Sequence, residues 1–160
     1  MTAADWPAVA RIYAAGIAGG DATFEDSVPT YEEFSRARLA DPRLIAREES
    51  GEVLGWAALS PTSTRPVYWG VAEVSIYVDP AVAGRGVGRV LLEALIEASE
   101  RAGLWTLQAG IFPENVASIA LHERCGFELL GVSRRVGQMA DGRWRDVVRY
   151  ERRSQLVGAD

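Results

Sequence analysis

The chain contains no lysine; all 17 of its basic residues are arginine. It has one histidine, His122, and one cysteine, Cys125. Each shortage removes a class of function. A P-loop ends in Lys followed by Ser or Thr, so none can be built here. A disulfide framework, a Cys-x-x-Cys redox pair and a Cys/His zinc centre all need more Cys or His than one of each, so no metal is expected. The 22 acidic residues give a net charge of -5, opposite in sign to that of a dedicated nucleic-acid binder. No apolar run reaches the ~18 residues that suggest a membrane span. Met1-Thr2-Ala3-Ala4-Asp5 also lacks the basic start and apolar run of a signal peptide, and a cytoplasmic protein is expected.

What remains is the composition of one globular domain over residues 1–160, with 48% hydrophobic and 24% charged residues. A chain of this length buries enough surface to be stable without cross-links.

Hydrophobic spacing sets out the elements. Val9, Ile12, Tyr13 and Ile17 recur at helical intervals behind Asp5 and Pro7, and Gly19-Gly20 ends that helix. Residues 21–29 lack a period and read as a loop. Tyr31, Phe34, Ala37 and nearby Leu39 suggest a short second helix. Residues 44–47 and 53–59 form a hairpin about Gly51. In 73–78, Val74, Ile76 and Val78 alternate with Glu73, Ser75 and Tyr77, which puts a carboxylate, a hydroxyl and a phenol on one face of a strand. A glycine-rich turn then leads into a helix striped by Val87, Leu91, Ala94, Leu95 and Ala98. A strand over 106–111 and a helix from Asn115 to Cys125, ended by a left-handed Gly126, follow. Strands over 127–136 and 144–150 flank the hairpin turn Asp141-Gly142. The order implies an α/β mixed sheet with helices on its faces.

The turn Gly84-Arg85-Gly86-Val87-Gly88 sits between a strand and a helix. Glycines let a backbone approach a ligand closely, and free amides at a helix start favour phosphate oxygens, with Arg85 and Arg89 adding charge. The plain alternative is a tight strand-to-helix connection. A dinucleotide fingerprint is excluded by position, because it belongs at the first strand of a parallel sheet.

Val78-Asp79-Pro80 followed by Ala83-Gly84-Arg85-Gly86-Val87-Gly88 resembles the acetyl-CoA pyrophosphate loop of the GNAT acyltransferase superfamily. The run Asn115-x-Ala117-Ser118-x-x-Leu121-His122-Glu123-x-x-Gly126-Phe127 resembles its second cofactor motif. Arg65, Tyr68, Glu73-x-Ser75-x-Tyr77-Val78, His122 and Gly142-x-Trp144-x-Asp146-Val147 are similar to the phosphinothricin and methionine-sulfoximine acetyltransferase branch. The sequence departs from the pattern at Ala83, where Gln or Arg is usual, and at Trp69 and Val71, where the branch has Arg and Thr. Because the phosphate cradle is mainly backbone amide, cofactor binding should survive Ala83. The resemblance also implies a strand before Thr2 that this chain does not contain, for which a misassigned start is the favoured explanation.

The resemblance implies the GNAT fold, acetyl-CoA as co-substrate, a small amino-acid-like amine as acceptor, and a homodimer in which a partner closes the acceptor site. Glu73 is the candidate base, since an ammonium must lose a proton before it can attack, and partial burial of the carboxylate is expected; its plain alternative is an ion pair. His122 is the candidate acid for the leaving thiolate, or else a helix-end or cofactor contact. Ile76, Tyr77 and Val78 are expected along the pantetheine arm, where a backbone amide polarises the carbonyl. Gly84, Arg85, Gly86, Val87, Gly88 and Arg89 are expected at the pyrophosphate, and Asn115 and Ser118 at the arm. Asn115 is also a natural helix cap. Phe24, Glu25, Arg65, Tyr68 and Tyr77 are the acceptor-pocket candidates, with Arg65 offered to a substrate carboxylate or else solvated. Trp144 is expected in the core and Cys125 as a buried hydrophobe. Two other readings remain, a protein or peptide amine acetyltransferase and a non-catalytic acyl-CoA-binding module.

Overall fold

A computed structural model describes residues 1–159. The helices are α1 (Trp6–Ala18), α2 (Tyr31–Ala37), α3 (Val87–Arg101) and α4 (Val116–Arg124). The strands are β1 (Arg43–Arg47), β2 (Val53–Pro61), β3 (Val71–Val78), β4 (Thr106–Ile111), β5 (Glu128–Gln138) and β6 (Trp144–Arg153). They form one mixed sheet in the order β1-β2-β3-β4-β6-β5. Only β3 and β4 are parallel neighbours, joined through α3 as a β-α-β crossover.

The helix starts follow local chemistry. Thr30 accepts from the Glu33 amide at 3.3 Å, and the Glu33 carboxylate accepts from the Thr30 amide at 2.8 Å, which closes a capping box on α2. At α1 the expected cap works backwards, because Asp5 accepts from the Thr2 amide at 2.7 Å and from Arg47 at 2.6 Å. Gly86 (φ 82°) begins α3 and Gly126 (φ 82°) ends α4, both in the left-handed region that glycine alone enters without strain.

The register assigns the two faces of the sheet. Ala57, Leu59, Ala72, Leu107, Ala109, Val148 and Tyr150 point to one side and are buried with Leu91, Leu92 and Leu95 of α3. On the other side Trp56 and Ala58 are buried with Val9, Ile12 and Tyr13 of α1 and Phe34 of α2. Each such large apolar side chain contributes about 1.5–3 kcal/mol through burial. The α1/α2 side covers only part of its face. Beyond it the register lines up Ser60, Glu73, Gln108 and Glu151 in a polar row across four strands. Trp144, expected in the core, is 57% exposed near the turn of the β5–β6 hairpin, where no helix reaches it.

Candidate active site

Strand β3 stays paired with β2 as far as Val78, which stands opposite Gly55, but it pairs with β4 only from Val71 to Glu73. Strand β4 continues to Ile111 against β6. The parallel pair therefore splays open after Glu73, and the wedge leads into a cavity of about 390 Å³. Ser75 and Ile76 border it from β3, Ala109 and Gly110 from β4, and His122 from α4. An unpaired strand flank of this kind can accept an extended ligand as an added strand.

Glu73 stands at the fork. Its side chain is exposed, not partly buried as the sequence suggested, because the polar row beside it has no helix above. A Cβ built on Gly110 would lie 3.3 Å from Glu73 Oε1 and 3.1 Å from Arg149 Nη1. Glycine at 110 thus leaves room for two opposite charges to approach the same spot.

His122 is 2% exposed, with its ring edge-on to Phe127 at 4.9 Å between centroids. Nδ1 lies 2.8 Å from the Ser118 carbonyl, and a carbonyl only accepts, so the ring proton sits on Nδ1. Nε2 is buried and has no partner among the described residues. Burial pushes the imidazole below its ordinary value of 6.5, with the Ser118 contact opposing in part. The ring is therefore neutral at pH 7, with a lone pair on Nε2.

The glycine-rich turn lies apart from this cavity, past the end of β3. Gly84 (φ 78°) and Gly86 have open space where a Cβ would be. The first amides of α3 have no intrahelical acceptor, so the turn presents donors to a ligand. Asp79 fixes the approach to the turn by accepting from the Ala81 amide at 2.9 Å and from Arg11 at 2.5 Å, and these contacts hold its carboxyl below the usual range. Arg85 meets Glu48 at 2.8 Å and Arg89 meets Glu93 at 2.7 Å, both in exposed pairs that a phosphate can displace. Gly88 serves packing, since a Cβ there would come within 3.2 Å of Leu121 on α4. The residues present would suit a pantetheine-linked diphosphate: the Gly84 to Arg89 turn would hold the phosphates, and the Ser75 to Val78 flank would take the arm.

Of the acceptor-pocket candidates, Phe24, Glu25 and Tyr77 border the cavity. Phe24 packs edge-on against Phe112 at 4.8 Å. Tyr77 stacks on Trp56 at 4.7 Å and lies 4.8 Å from Tyr13, so most of its ring is packing, and burial raises its phenol. Arg65 and Tyr68 do not border the cavity: they sit on the exposed β2–β3 connection, the guanidinium 5.6 Å from the ring centre. Asn115 borders the cavity, but its amide is engaged structurally. Its oxygen caps α4 by accepting from the Ser118 amide at 3.1 Å, and its nitrogen donates to the Asp21 carbonyl at 3.1 Å.

Sequence reasoning missed three arginines. Buried Arg145 holds Asp21 at 2.9 Å and Glu114 at 2.8 Å, which ties the loop after α1 to the cavity rim. Arg38 lies over the Phe34 ring at 4.4 Å and reaches the cavity. Arg149 borders the cavity from β6. The period-2 run Arg145, Val147, Arg149 was the available signal for two of them, since a half-buried strand face seldom carries two arginines without a task.

Residues 9–127 match the Acetyltransferase (GNAT) family. The chain is a member of that family. It is 42% identical over 113 residues to an L-methionine sulfoximine/L-methionine sulfone acetyltransferase of Pseudomonas paraeruginosa, a match covering 71% of this chain and 65% of that relative. The chain thus matches a little under two-thirds of that relative's length. A GNAT superfamily phosphinothricin acetyltransferase from Sinorhizobium meliloti, solved with AcCoA, superposes with a TM-score of 0.88 at 32% identity, covering 100% of this chain and 89% of that one. A Ribosomal-protein-alanine N-acetyltransferase from Brucella melitensis also gives 0.88, at 34% identity over 96% of this chain and 97% of that one. Among the described residues of this GNAT chain, no helix is long and apolar enough to cross a membrane and no group of His, Cys, Asp or Glu is arranged to hold a metal ion.

Proposed function

We propose that the chain is an acetyl-CoA-dependent N-acetyltransferase of small amino-acid-like acceptors, of the methionine sulfoximine, methionine sulfone or phosphinothricin kind, working as a cytoplasmic homodimer. The observation that carries this reading is the wedge between β3 and β4, with Glu73 at its fork and the His122 Nε2 lone pair in its wall. Acetyl-CoA, when bound, supplies an activated acyl group as a thioester. Glu73 takes the proton that the acceptor ammonium must lose, and its side chain stands exposed at the fork where that amine would arrive. His122 enters as a hydrogen-bond acceptor at Nε2. It can return a proton there only after gaining one, so it relays protons instead of starting as an acid.

The names of the relatives support the acceptor class, and the ribosomal-protein enzyme keeps a peptide amine as the second reading. The homodimer is supported by β5. Leu129 and Val132 are 58% and 52% exposed although they stand opposite Tyr150 and Val148, which are 4% and 8% exposed. The apolar face thus continues past the helices that cover it, as in a surface awaiting a partner. A CoA-release assay over L-methionine sulfone, L-methionine sulfoximine, phosphinothricin and an alanine-initiated peptide tests the activity. Glu73→Gln is expected to lower kcat about 100-fold with unchanged acetyl-CoA affinity. Full activity in that variant removes Glu73 as the base, and turnover of the peptide alone selects the second reading.

A further inference from the structure

Among the described residues, no carboxylate makes ion-pair contact with Arg149. Its Nε donates to Ser133 Oγ at 3.3 Å, and the rest of the guanidinium faces the cavity. The residues opposite it are Gly110 on β4 and Gly131 on β5, so neither neighbouring strand sets a side chain directly beside it. Nη1 and Glu73 Oε1 lie 3.1 Å and 3.3 Å from one point over Gly110. Hence they are no farther apart than the sum of those distances, yet they do not touch. A cation and an anion held side by side and left unpaired form a receptor for a ligand carrying both charges on one atom's substituents. An α-amino acid has that form, with ammonium and carboxylate on a single carbon.

We propose that Arg149 binds the α-carboxylate of the acceptor while Glu73 faces its amine, and that this selects free amino acids over amides and peptides. The assignment rests on the acetyltransferase reading above. It gives Arg149 the role the sequence suggested for Arg65, which lies outside the cavity. Arg38, the other cavity arginine, is laid on Phe34 and has no such partnership with Glu73. The planar fork of Arg149 offers two parallel donors to a carboxylate, whereas a carboxamide presents one oxygen and no charge. A peptide N-terminus has an amide carbonyl at this place and is disfavoured for the same reason.

The test compares kcat/KM for L-methionine sulfone and its α-carboxamide in the full chain and in Arg149→Met and Arg149→Lys. The wild type is expected to prefer the acid by about 10- to 100-fold, the worth of a charge-assisted hydrogen-bonded pair. Arg149→Met should erase the preference, mainly by raising KM for the acid, and Arg149→Lys should restore part of it. A wild type indifferent to the change from acid to amide overturns the proposal without any variant, as does an Arg149→Met protein that loses both activities equally. If the wild type acetylates neither compound nor any amine of the wider panel, the acetyltransferase reading itself falls.

Discussion

Gly16, in the third turn of α1, tests how firmly one wall of the cavity is set. A helix interior normally gains about 1 kcal/mol when alanine replaces glycine. Here a Cβ would lie 2.6 Å and 2.7 Å from Cδ1 and Cε1 of Tyr77. That ring is stacked on Trp56 at 4.7 Å, with an interplanar angle of 17°, and meets Tyr13 at 4.8 Å on α1 itself. Trp56 is fully buried, so the ring cannot retreat without moving the core. Overpacking of this kind costs about 1–3 kcal/mol. The cost exceeds the propensity gain, and Gly16→Ala is expected to lose about 1 kcal/mol net, seen as a melting midpoint about 2–4 °C lower. Gly19 is the control. It has helical φ and ψ, and its nearest neighbour to a new Cβ is a carbonyl oxygen at 3.4 Å, so Gly19→Ala should gain up to about 1 kcal/mol. Urea unfolding of the two variants measures both. Stabilisation of similar size in the two proteins would refute the argument, because Tyr77 would then be free to move. Since Tyr77 borders the cavity, Gly16→Ala should also raise the acceptor KM more than that of acetyl-CoA.

Two further outcomes follow from groups already placed. His122 is held neutral by burial below its ordinary 6.5, so protons bind the unfolded chain more readily; its contribution to stability is full above about pH 6.5 and falls as pH drops through the window below that value. His122→Gln should flatten the pH dependence of the melting midpoint in that window, and an unchanged profile would show that the imidazole is not buried neutral. Leu129, on β5, is 58% exposed, and Leu129→Glu should convert a dimer to a monomer in light scattering after gel filtration; a wild-type monomer, or a variant that stays dimeric, refutes β5 as the contact surface.

The elements were legible because their signals are local. The period of α3, the alternation in β3 and the turn glycines at 86, 126 and 142 each arise from neighbouring residues, and the structure places them with small shifts in boundary. The lining of the candidate site was legible only where one strand or one helix carries it, as with Glu73 and His122, which both border the cavity. Arg65 and Asn115 show the limit. Which residue faces a cavity, and which amide is already engaged by a loop 94 positions away, depends on contacts distant in sequence. Arg149 carried a local signal in its alternation with Arg145 and Val147, but its place opposite Gly110 on another strand was not readable. His122 sharpens the point. Its position was readable, but the side of the ring that holds the proton depends on a carbonyl one helical turn back together with the burial that keeps water out.

The cavity lies where two requirements of the sheet conflict. Parallel pairing of β3 with β4 would satisfy the backbone groups of both strands, but it stops at Glu73. Beyond that point β3 follows β2 and β4 follows β6, each an antiparallel partner. The fork therefore leaves polar backbone groups without a strand partner in the middle of the sheet, free to pair with an extended ligand. The same residues bring two unpaired opposite charges to the fork. The last parallel pair carries Glu73, Gly110 lies two residues beyond its partner Gln108, and Arg149 stands opposite Gly110 on the next strand. Closing the fork would restore the ladder and eliminate the opening between β3 and β4 that leads to the cavity.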